Sequence, residues 1–262
     1  MNKLRTLEEA GALVSDGQRL AMGGLLLQRI PAAFARELAR QRKKHLKVMK
    51  TAANYDFDLL CFAECVDEVA AGFVSFEAEF GFAPNFRRSV ENGNVTFEEH
   101  SCYTVISALR AAAFGVPFMP VANLGESHIK DKFKRVSNPY GREKVLAVPA
   151  IEPDWAVLHV QKADEEGNAV IYGSHFEDVI MARAAKKIVL TAEKIVLSQE
   201  IKDEAQLAVI PGFKVEAVVE VPNGAAPGSC YPYYDYSPEL VRRYLSLIDF
   251  EGLCQYLEHN NP

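Results

Sequence analysis

Two groups of residues in this sequence combine reactive or ligand-binding chemistry with a position at the end of a predicted strand. The first is Gly23-Gly24, which follows the apolar run Leu20-Ala21-Met22 and precedes a helix that starts near Pro31. Glycine permits positive φ and a close backbone approach, and exposed N–H groups near a helix start favour an anion or a polarised carbonyl. We therefore expect Gly23 and Gly24 to bind substrate. No Ser, Cys, Lys or Glu with an adjacent base lies at this turn, so the sequence predicts half of an active site.

The second group is the carboxylate pair Glu98-Glu99, which falls where a predicted strand over residues 95–97 ends and a helix begins. Ligands of open α/β sheets gather beyond the carboxyl ends of the strands. The hydroxyl of Ser101 adds a polar group at the same helix start. The structural alternative is that the carboxylates complement the helix dipole while Ser101 caps the helix. We predict that Glu98, Glu99 and Ser101 bind substrate.

Four more residues are predicted to face the substrate because each follows a predicted strand, with simple strand-end packing as the alternative. They are Ser75 and Phe76, after the strand that ends at Val74, and Asn123 and Gly125, after the strand that ends at Val121. His159 lies within an apolar strand and is interpreted as a buried core histidine. We assign no catalytic residue to this chain. We also predict no metal site, because Cys61 and Cys65 have no nearby histidine partners and are interpreted as packing residues.

Helical and β-branched segments alternate along the chain and give the elements that must position these groups. Thr6 to Glu9 has capping-box spacing, and residues 101–114 form the clearest helix, closed by Gly115. Strands joined through helices predict an α/β fold, an open, mostly parallel twisted sheet with helices on both faces. We expect residues 1–262 to form one domain.

Three segments have less regular patterns. We predict a long functional loop at 122–144, a surface segment rich in Pro, Gly and Tyr at 222–236, and one helix from Pro238 to Glu258.

Composition excludes several classes of function. The 262 residues are 49% hydrophobic, enough for a sizeable core, and carry a formal net charge of −6. The densest basic run, residues 40–47, is interpreted as a solvated helix end, so a nucleic-acid partner is not expected. No apolar stretch reaches the roughly 18 residues of a membrane span, and residues 1–11 are too charged for a signal peptide. Together with five scattered cysteines, these features predict a cytoplasmic protein with reduced thiols.

Short motifs in a fixed order carry a resemblance that covers nearly the whole chain. They are Gly23-Gly24 with Arg29-Ile30-Pro31, Phe86-Arg87-Arg88, Glu98-Glu99-His100-Ser101, residues 111–120, residues 164–168, Glu177-Asp178 with Ala184-Ala185-Lys186, residues 222–227 and Tyr233-Tyr234-Asp235-Tyr236. This pattern resembles the alpha subunit of family I coenzyme A transferases, above all that of glutaconate CoA-transferase. It is also similar to the corresponding subunits of CoA-thioester hydrolases that open steroid-derived rings.

The resemblance implies a reaction in two halves. A glutamate carboxylate attacks an acyl-CoA thioester, and an acyl-enzyme anhydride and then an enzyme–CoA thioester pass CoA to an acceptor acid. In this family that glutamate belongs to the beta subunit, so the resemblance implies a beta-subunit partner in a heterodimer or heterotetramer. Coenzyme A thioester is then the substrate, and no other bound cofactor is expected. The alpha subunit would shape the acyl pocket.

Glu91 is not assigned as that nucleophile. The stretch Ser89-Val90-Glu91-Asn92-Gly93 is similar to the Ser-Glu-Asn-Gly stretch of beta subunits, but it carries an inserted valine and ends a predicted helix. Two other functions stay open: a hydrolase or C–C-cleaving relative, in which water takes the acyl group, and a ligand-binding module without catalysis. The ring-opening hydrolases carry an acidic residue near the position of Cys102, which this chain lacks.

Overall fold

Short, mostly apolar segments form the strands of the main sheet, and amphipathic segments between them form several of the helices. The structure, a computed structural model, describes residues 2–122, 124–125 and 127–259. The strands are β1 (Arg19–Met22), β2 (Leu46–Ala53), β3 (Val66–Val74), β4 (Thr96–Glu99), β5 (Phe118–Val121), β6 (Lys134–Ser137), β7 (Lys144–Pro149), β8 (Trp155–Ala163), β9 (Ala169–Val170), β10 (Lys187–Ile195), β11 (Ala208–Ile210) and β12 (Val215–Glu220).

The α-helices connect these strands. They are α1 (Leu7–Ala12), α2 (Ala32–Arg40), α3 (Tyr55–Phe62), α4 (Glu77–Phe80), α5 (Pro84–Glu91), α6 (Cys102–Ala113), α7 (Asp178–Ala184), α8 (Ser198–Asp203), α9 (Pro238–Leu245) and α10 (Phe250–His259). Short 3₁₀ turns cover His128–Lys132 and Gly212–Lys214. The predicted capping box is present, because Thr6 accepts from the N–H of Glu9 and Glu9 accepts from that of Thr6.

The main sheet is parallel in the order β12-β10-β8-β1-β2-β3-β4, with the short β9 and β11 added antiparallel at the end of β8. Strand β1 lies in the middle, where Ala21 pairs with Met49 of β2 and with Ala156 of β8. Helices cover both faces, which confirms the predicted fold class. That residues 1–262 form one domain stays a prediction.

Side chains of each central strand alternate between two hydrophobic cores. Leu20 and Met22 lie in the core formed with α1, α2, α3, α5, α9 and α10, whereas Ala21 lies in the core formed with α6 and α7. All three are fully buried. Because both faces of the sheet are covered, these strands are continuously apolar, as expected for parallel sheets.

The segment 122–144 is not a loop throughout, so this part of the sequence-based prediction is wrong. Strand β7 pairs antiparallel with both β5 and β6 and forms a second, three-stranded sheet. Leu146 and Val148 of β7 are buried against α6, so this small sheet is fixed to the main domain by its apolar face. The lysines and arginines on β6 hide its alternation in the sequence.

The region after β12 also departs from prediction. Residues 238–258 form two helices, α9 and α10, rather than one, since Ser246 caps the end of α9 and Asp249 accepts the N–H of Gly252 at the start of α10. The segment 222–236 is not simply a surface segment, because Ala225 and Cys230 are fully buried. Its backbone forms hydrogen bonds with Leu27, in the loop after β1, and with Ala33, in the first turn of α2.

The chain before α1 covers part of the outer edge of β12. Leu4 forms a parallel bridge with Val218, whose N–H donates to the carbonyl of Lys3 and whose carbonyl accepts from Arg5 at 2.9 Å each. Within the described residues, no helix is both long and apolar enough to cross a membrane.

Candidate active site

The strand order creates one crevice at the carboxyl edge of the main sheet. From β1 the chain builds outward through β2, β3 and β4 on one side and, later, through β8, β10 and β12 on the other. The chain that follows β1 leads to β2, and the chain that follows β8 leads to β10 on the opposite side. The loops after these two neighbouring strands therefore diverge and leave a crevice between them. This reversal is where open α/β sheets place their ligands.

Gly23 and Gly24 lie at this crevice, but their N–H groups are not exposed, so that premise of the sequence analysis is wrong. The N–H of Gly23 donates to the carbonyl of Val157 and that of Gly24 to Oδ1 of Asp178, at 2.8 Å each. Gly24 has φ +70°, and a Cβ there would lie 2.4 Å from the carbonyl oxygens of Gln28 and Arg29. The glycines therefore serve a tight turn, and direct substrate binding by them stays a prediction.

Arg29 links the segments that form the walls of the crevice. Its guanidinium forms an ion pair with Asp178 in which both side chains are at least 96% buried. It also donates to the carbonyl of His159 at 2.9 Å and to that of Ser174 at 3.0 Å. Arg29 thus joins the β1 turn, strand β8 and the start of α7, and Asp178 neutralises its charge.

A cavity of about 290 Å³ opens beside Arg29 at the end of β8. Its walls carry neutral hydrogen-bonding groups, including the amide of Gln161, the hydroxyls of Ser174 and Ser229, and the rings of Tyr172 and Tyr231. Gln161 is itself held by the backbone of Tyr172 and Tyr231. The arrangement suits a polar, uncharged part of a ligand rather than a free anion, because the nearby arginine is already paired.

A second polar group lies on the other side of the crevice, where β2 meets the first turns of α6 and α7. The buried carboxylate of Glu177 accepts hydrogen bonds from both the N–H, at 3.1 Å, and the hydroxyl of Thr51. Burial raises the pKa of Glu177. Cys102, the first residue of α6, donates its thiol to the carbonyl of Thr51 at 3.6 Å and is exposed to solvent. Burial and the Glu177 carboxylate raise the pKa of the Cys102 thiol.

The raised pKa predicts slow alkylation of Cys102. The thiolate is the reactive form, so the rate with iodoacetamide at neutral pH should be low and should rise as the pH passes the ordinary thiol range. Glu177→Gln removes a negative charge beside the sulfur, and the rate profile should then shift to lower pH. Peptide mass spectrometry measures both, with half-buried Cys254 on α10 as the internal reference. A profile unchanged by Glu177→Gln would contradict the electrostatic coupling.

The predicted pair Glu98-Glu99 lies at the end of β4, three strands away from β1 in the main sheet. Glu98 is half-buried and lies 3.3 Å from His100 Nε2, and the interaction with His100 lowers the pKa of Glu98. Glu99 is exposed, and its carbonyl accepts from Lys132 Nζ at 2.9 Å. Ser101 caps α6 through a reciprocal pair of bonds with Thr104, which is the structural alternative considered above. Substrate binding by these residues stays a prediction.

The remaining predicted residues are dispersed. Ser75 shapes the turn before α4, because its hydroxyl donates to the carbonyl of Gly81 and accepts from the N–H of Glu77. Phe76 is 2% exposed and packs near Tyr244 in the core, so it does not face the crevice as expected. Gly125 has φ +63° in the turn after β5. Asn123 lies outside the described residues.

His159 is fully buried, as predicted, in a polar network between β8 and β10. Its Nδ1 pairs with Thr191 at 2.9 Å and its Nε2 with Glu193 at 2.8 Å, while Tyr234 donates to the same carboxylate. Burial lowers the pKa of His159, which favours the neutral ring. Donor atoms of His159, Glu193 and Cys230 lie within 4.8 Å of one another and could hold a metal ion. In the observed arrangement they bond each other and fasten the segment 222–236.

Comparison with known proteins defines the class of the chain. The model of the family "Coenzyme A transferase" matches residues 4–221, and the chain belongs to this family. Within it the chain corresponds to the alpha subunit. It is 33% identical to the alpha subunit of glutaconate CoA-transferase from Acidaminococcus fermentans over 97% of this chain and 87% of that one. The crystal structure of that transferase superposes with a TM-score of 0.87 at 30% identity, covering 99% and 94% of the two chains.

Two other relatives show how far the chemistry of this fold extends. The crystal structure of the decarboxylase AibA/AibB superposes with a TM-score of 0.88 at 32% identity, over 99% of this chain and 98% of that one. A cholesterol ring-cleaving hydrolase IpdA subunit of Mycobacterium tuberculosis is 30% identical over 93% of this chain and 87% of that one. The family resemblance and the main functional class inferred from sequence are confirmed.

Proposed function

We propose that this chain forms the substrate-positioning half of a CoA transferase and that its beta subunit supplies the nucleophilic glutamate. The main support for this division of roles is that the buried carboxylates at the crevice already form an ion pair and hydrogen bonds within this chain. Asp178 pairs with Arg29 and the N–H of Gly24, and Glu177 accepts two bonds from Thr51. A carboxylate held by such partners is a poor nucleophile, because attack would break those bonds and leave buried donors unpaired.

In the proposed reaction the partner's carboxylate attacks the thioester carbonyl and expels the CoA thiolate, giving an acyl–glutamyl anhydride. The thiolate then attacks the glutamyl carbonyl and releases the first acid. The acceptor carboxylate attacks the resulting glutamyl–CoA thioester and expels the CoA thiolate, which gives a second anhydride. The thiolate then attacks the acceptor's acyl carbonyl in this anhydride, so the new acyl-CoA forms and the glutamate carboxylate is released. Each tetrahedral step needs preorganised hydrogen-bond donors at the developing oxyanion. The neutral Cys102 thiol at the start of α6 and the polar walls beside Arg29 are positioned to line the acyl pocket.

The reaction moves CoA between acids without electron transfer, so the proposal requires no bound cofactor besides the CoA thioester. We place the enzyme in the cytoplasm because all five cysteines are free thiols, as is usual in a reducing compartment. A hydrolase remains the second candidate, favoured by the similarity to the IpdA subunit. In that case water replaces the acceptor acid.

Covalent trapping tests the proposal. The complex of this chain with its beta subunit should be incubated with glutaconyl-CoA, the substrate class suggested by the transferase relative, and then reduced with borohydride. Borohydride converts a glutamyl thioester into an alcohol, so mass spectrometry should find one modified glutamate on the partner subunit. Glu91, Glu98 and Glu99 of this chain should stay unmodified.

A sample without acyl-CoA is the control, and other short acyl-CoA thioesters extend the test if glutaconyl-CoA is not accepted. A stoichiometric adduct on this chain would contradict the proposed division between the subunits. Release of free CoA at the same rate with and without an acceptor acid would instead support the hydrolase.

A further inference from the structure

The second sheet carries a concentration of positive charge in an otherwise acidic protein. We call residues 128–144, which comprise the 3₁₀ turn, β6 and the start of β7, the basic hairpin. It contains six lysines and arginines against two acidic residues, a net charge of +4 in a chain whose total is −6. The basic residues are Lys130, Lys132, Lys134, Arg135, Arg142 and Lys144.

Most of this charge is uncompensated. Lys134, Arg135, Arg142 and Lys144 are exposed, and none of them forms an ion pair with the described residues. This differs from the predicted basic run at 40–47, where Arg40 pairs with Glu37 and Lys43 donates to the carbonyl of Val14. Several like charges on one short hairpin repel each other, and such a field attracts an anionic ligand.

The hairpin stands at the carboxyl edge of the main sheet. Lys132 Nζ donates to the carbonyl of Glu99, the last residue of β4, and the ring of Phe133 lies 6.1 Å from that of His100. The basic hairpin is therefore anchored at the edge where the parallel strands end, which is also the edge of the crevice between β1 and β8.

Two of these exposed cations lie on the same face of the second sheet as the buried Leu146 of β7. Residues 133, 135 and 137 alternate onto one face of β6, and Phe133 on this face contacts His100. Arg135 pairs with Leu146, which is buried in the core, and Ser137 pairs with Lys144. Arg135 and Lys144 are thus diagonal neighbours on that face.

We propose that the basic hairpin binds the phosphate groups of coenzyme A, with Arg135 and Lys144 as the principal contacts. The inference rests on the proposed function, which brings a CoA thioester to this edge of the sheet. The nucleotide end of CoA carries a pyrophosphate and a 3′-phosphate, and arginine and lysine bind such groups through charge-assisted hydrogen bonds. The reacting thioester then reaches the crevice while the nucleotide stays at the hairpin.

The test compares two thioester substrates with the same acyl group in the assembled alpha–beta complex. Acyl-CoA carries the nucleotide phosphates, whereas acyl-pantetheine lacks them. The double variant Arg135→Glu/Lys144→Glu should raise KM for acyl-CoA about ten-fold or more and leave kcat/KM for acyl-pantetheine unchanged. Its KM for acyl-CoA should also depend less on salt than that of the unmodified complex.

The matched control is Arg42→Glu/Arg183→Glu, which changes net charge equally at two exposed arginines that lie before the amino ends of β2 and β10. It should leave both substrates unaffected. Calorimetric titration of each complex with CoA and with pantetheine measures binding directly and does not depend on turnover.

An unchanged affinity for CoA in the Arg135→Glu/Lys144→Glu complex would overturn the inference. So would loss of assembly with the beta subunit, measured by gel filtration, because the hairpin would then be a docking surface for the partner. If the unmodified complex transfers no CoA at all, the proposed function is wrong, and the CoA titration still decides the role of the hairpin.

Discussion

The isolated chain is expected to transfer CoA at the background rate, lower by about four orders of magnitude or more than its complex with the beta subunit. The reason is structural. Asp178 at the crevice pairs with Arg29 and accepts the N–H of Gly24, and Glu177 accepts hydrogen bonds from Thr51. Neither carboxylate is therefore free to attack the thioester. The measurement is the rate of CoA exchange between two acids, with purified chain, purified partner and their mixture at equal concentrations.

The matched control is Glu91→Gln in the complex. Glu91 precedes Asn92-Gly93 but pairs with Arg87 at 2.7 Å on the exposed side of α5, so its replacement should leave turnover intact. Full activity of the isolated chain, or loss of activity on Glu91→Gln, would show that this chain holds its own nucleophile.

Replacement of Arg29 by alanine is expected to cost about 3–5 kcal/mol in the free energy of unfolding. The change leaves the fully buried Asp178 carboxylate with an uncompensated charge and also removes the donors to the carbonyls of His159 and Ser174. Denaturant unfolding of the purified chain measures the loss. In the complex, the same variant should lower kcat/KM because the crevice walls are no longer joined.

Arg87→Ala provides the comparison, since Arg87 and Glu91 form an ion pair in which both side chains are more than half exposed. Such pairs contribute less than about 1 kcal/mol. Equal and small losses for the two alanine variants would contradict the central role given to Arg29.

The fold was predictable because its signals are local. Leu20 to Met22 has the pattern of a strand buried on both faces, and the caps at Thr6 and Ser101 mark helix starts that the structure confirms. The strand β6 within 122–144 was not predicted from the sequence. The apolar alternation of this hairpin lies on β7, whereas β6 is rich in basic residues and is a strand only because it pairs with β7.

The candidate site was less predictable, because its decisive contacts join distant parts of the chain. The Gly23-Gly24 turn was recognised from its glycines, but the partner of the Gly24 N–H lies 154 residues away, at Asp178. Thr51 and Glu177 are 126 residues apart. Arg29 and Glu177-Asp178 stand within the motifs that carry the family resemblance, which was the one sequence signal that could have found them.

The short segment before α1 has a consequence for the behaviour of the protein in solution. Lys3 and Arg5 occupy hydrogen-bonding positions of Val218 on β12, the strand that ends the parallel sheet. An uncovered edge strand is a template for pairing with other chains. Residues 3–5 therefore satisfy backbone groups of this edge strand, and we expect a version of the protein trimmed to begin at Thr6 to be less soluble because those groups would be open.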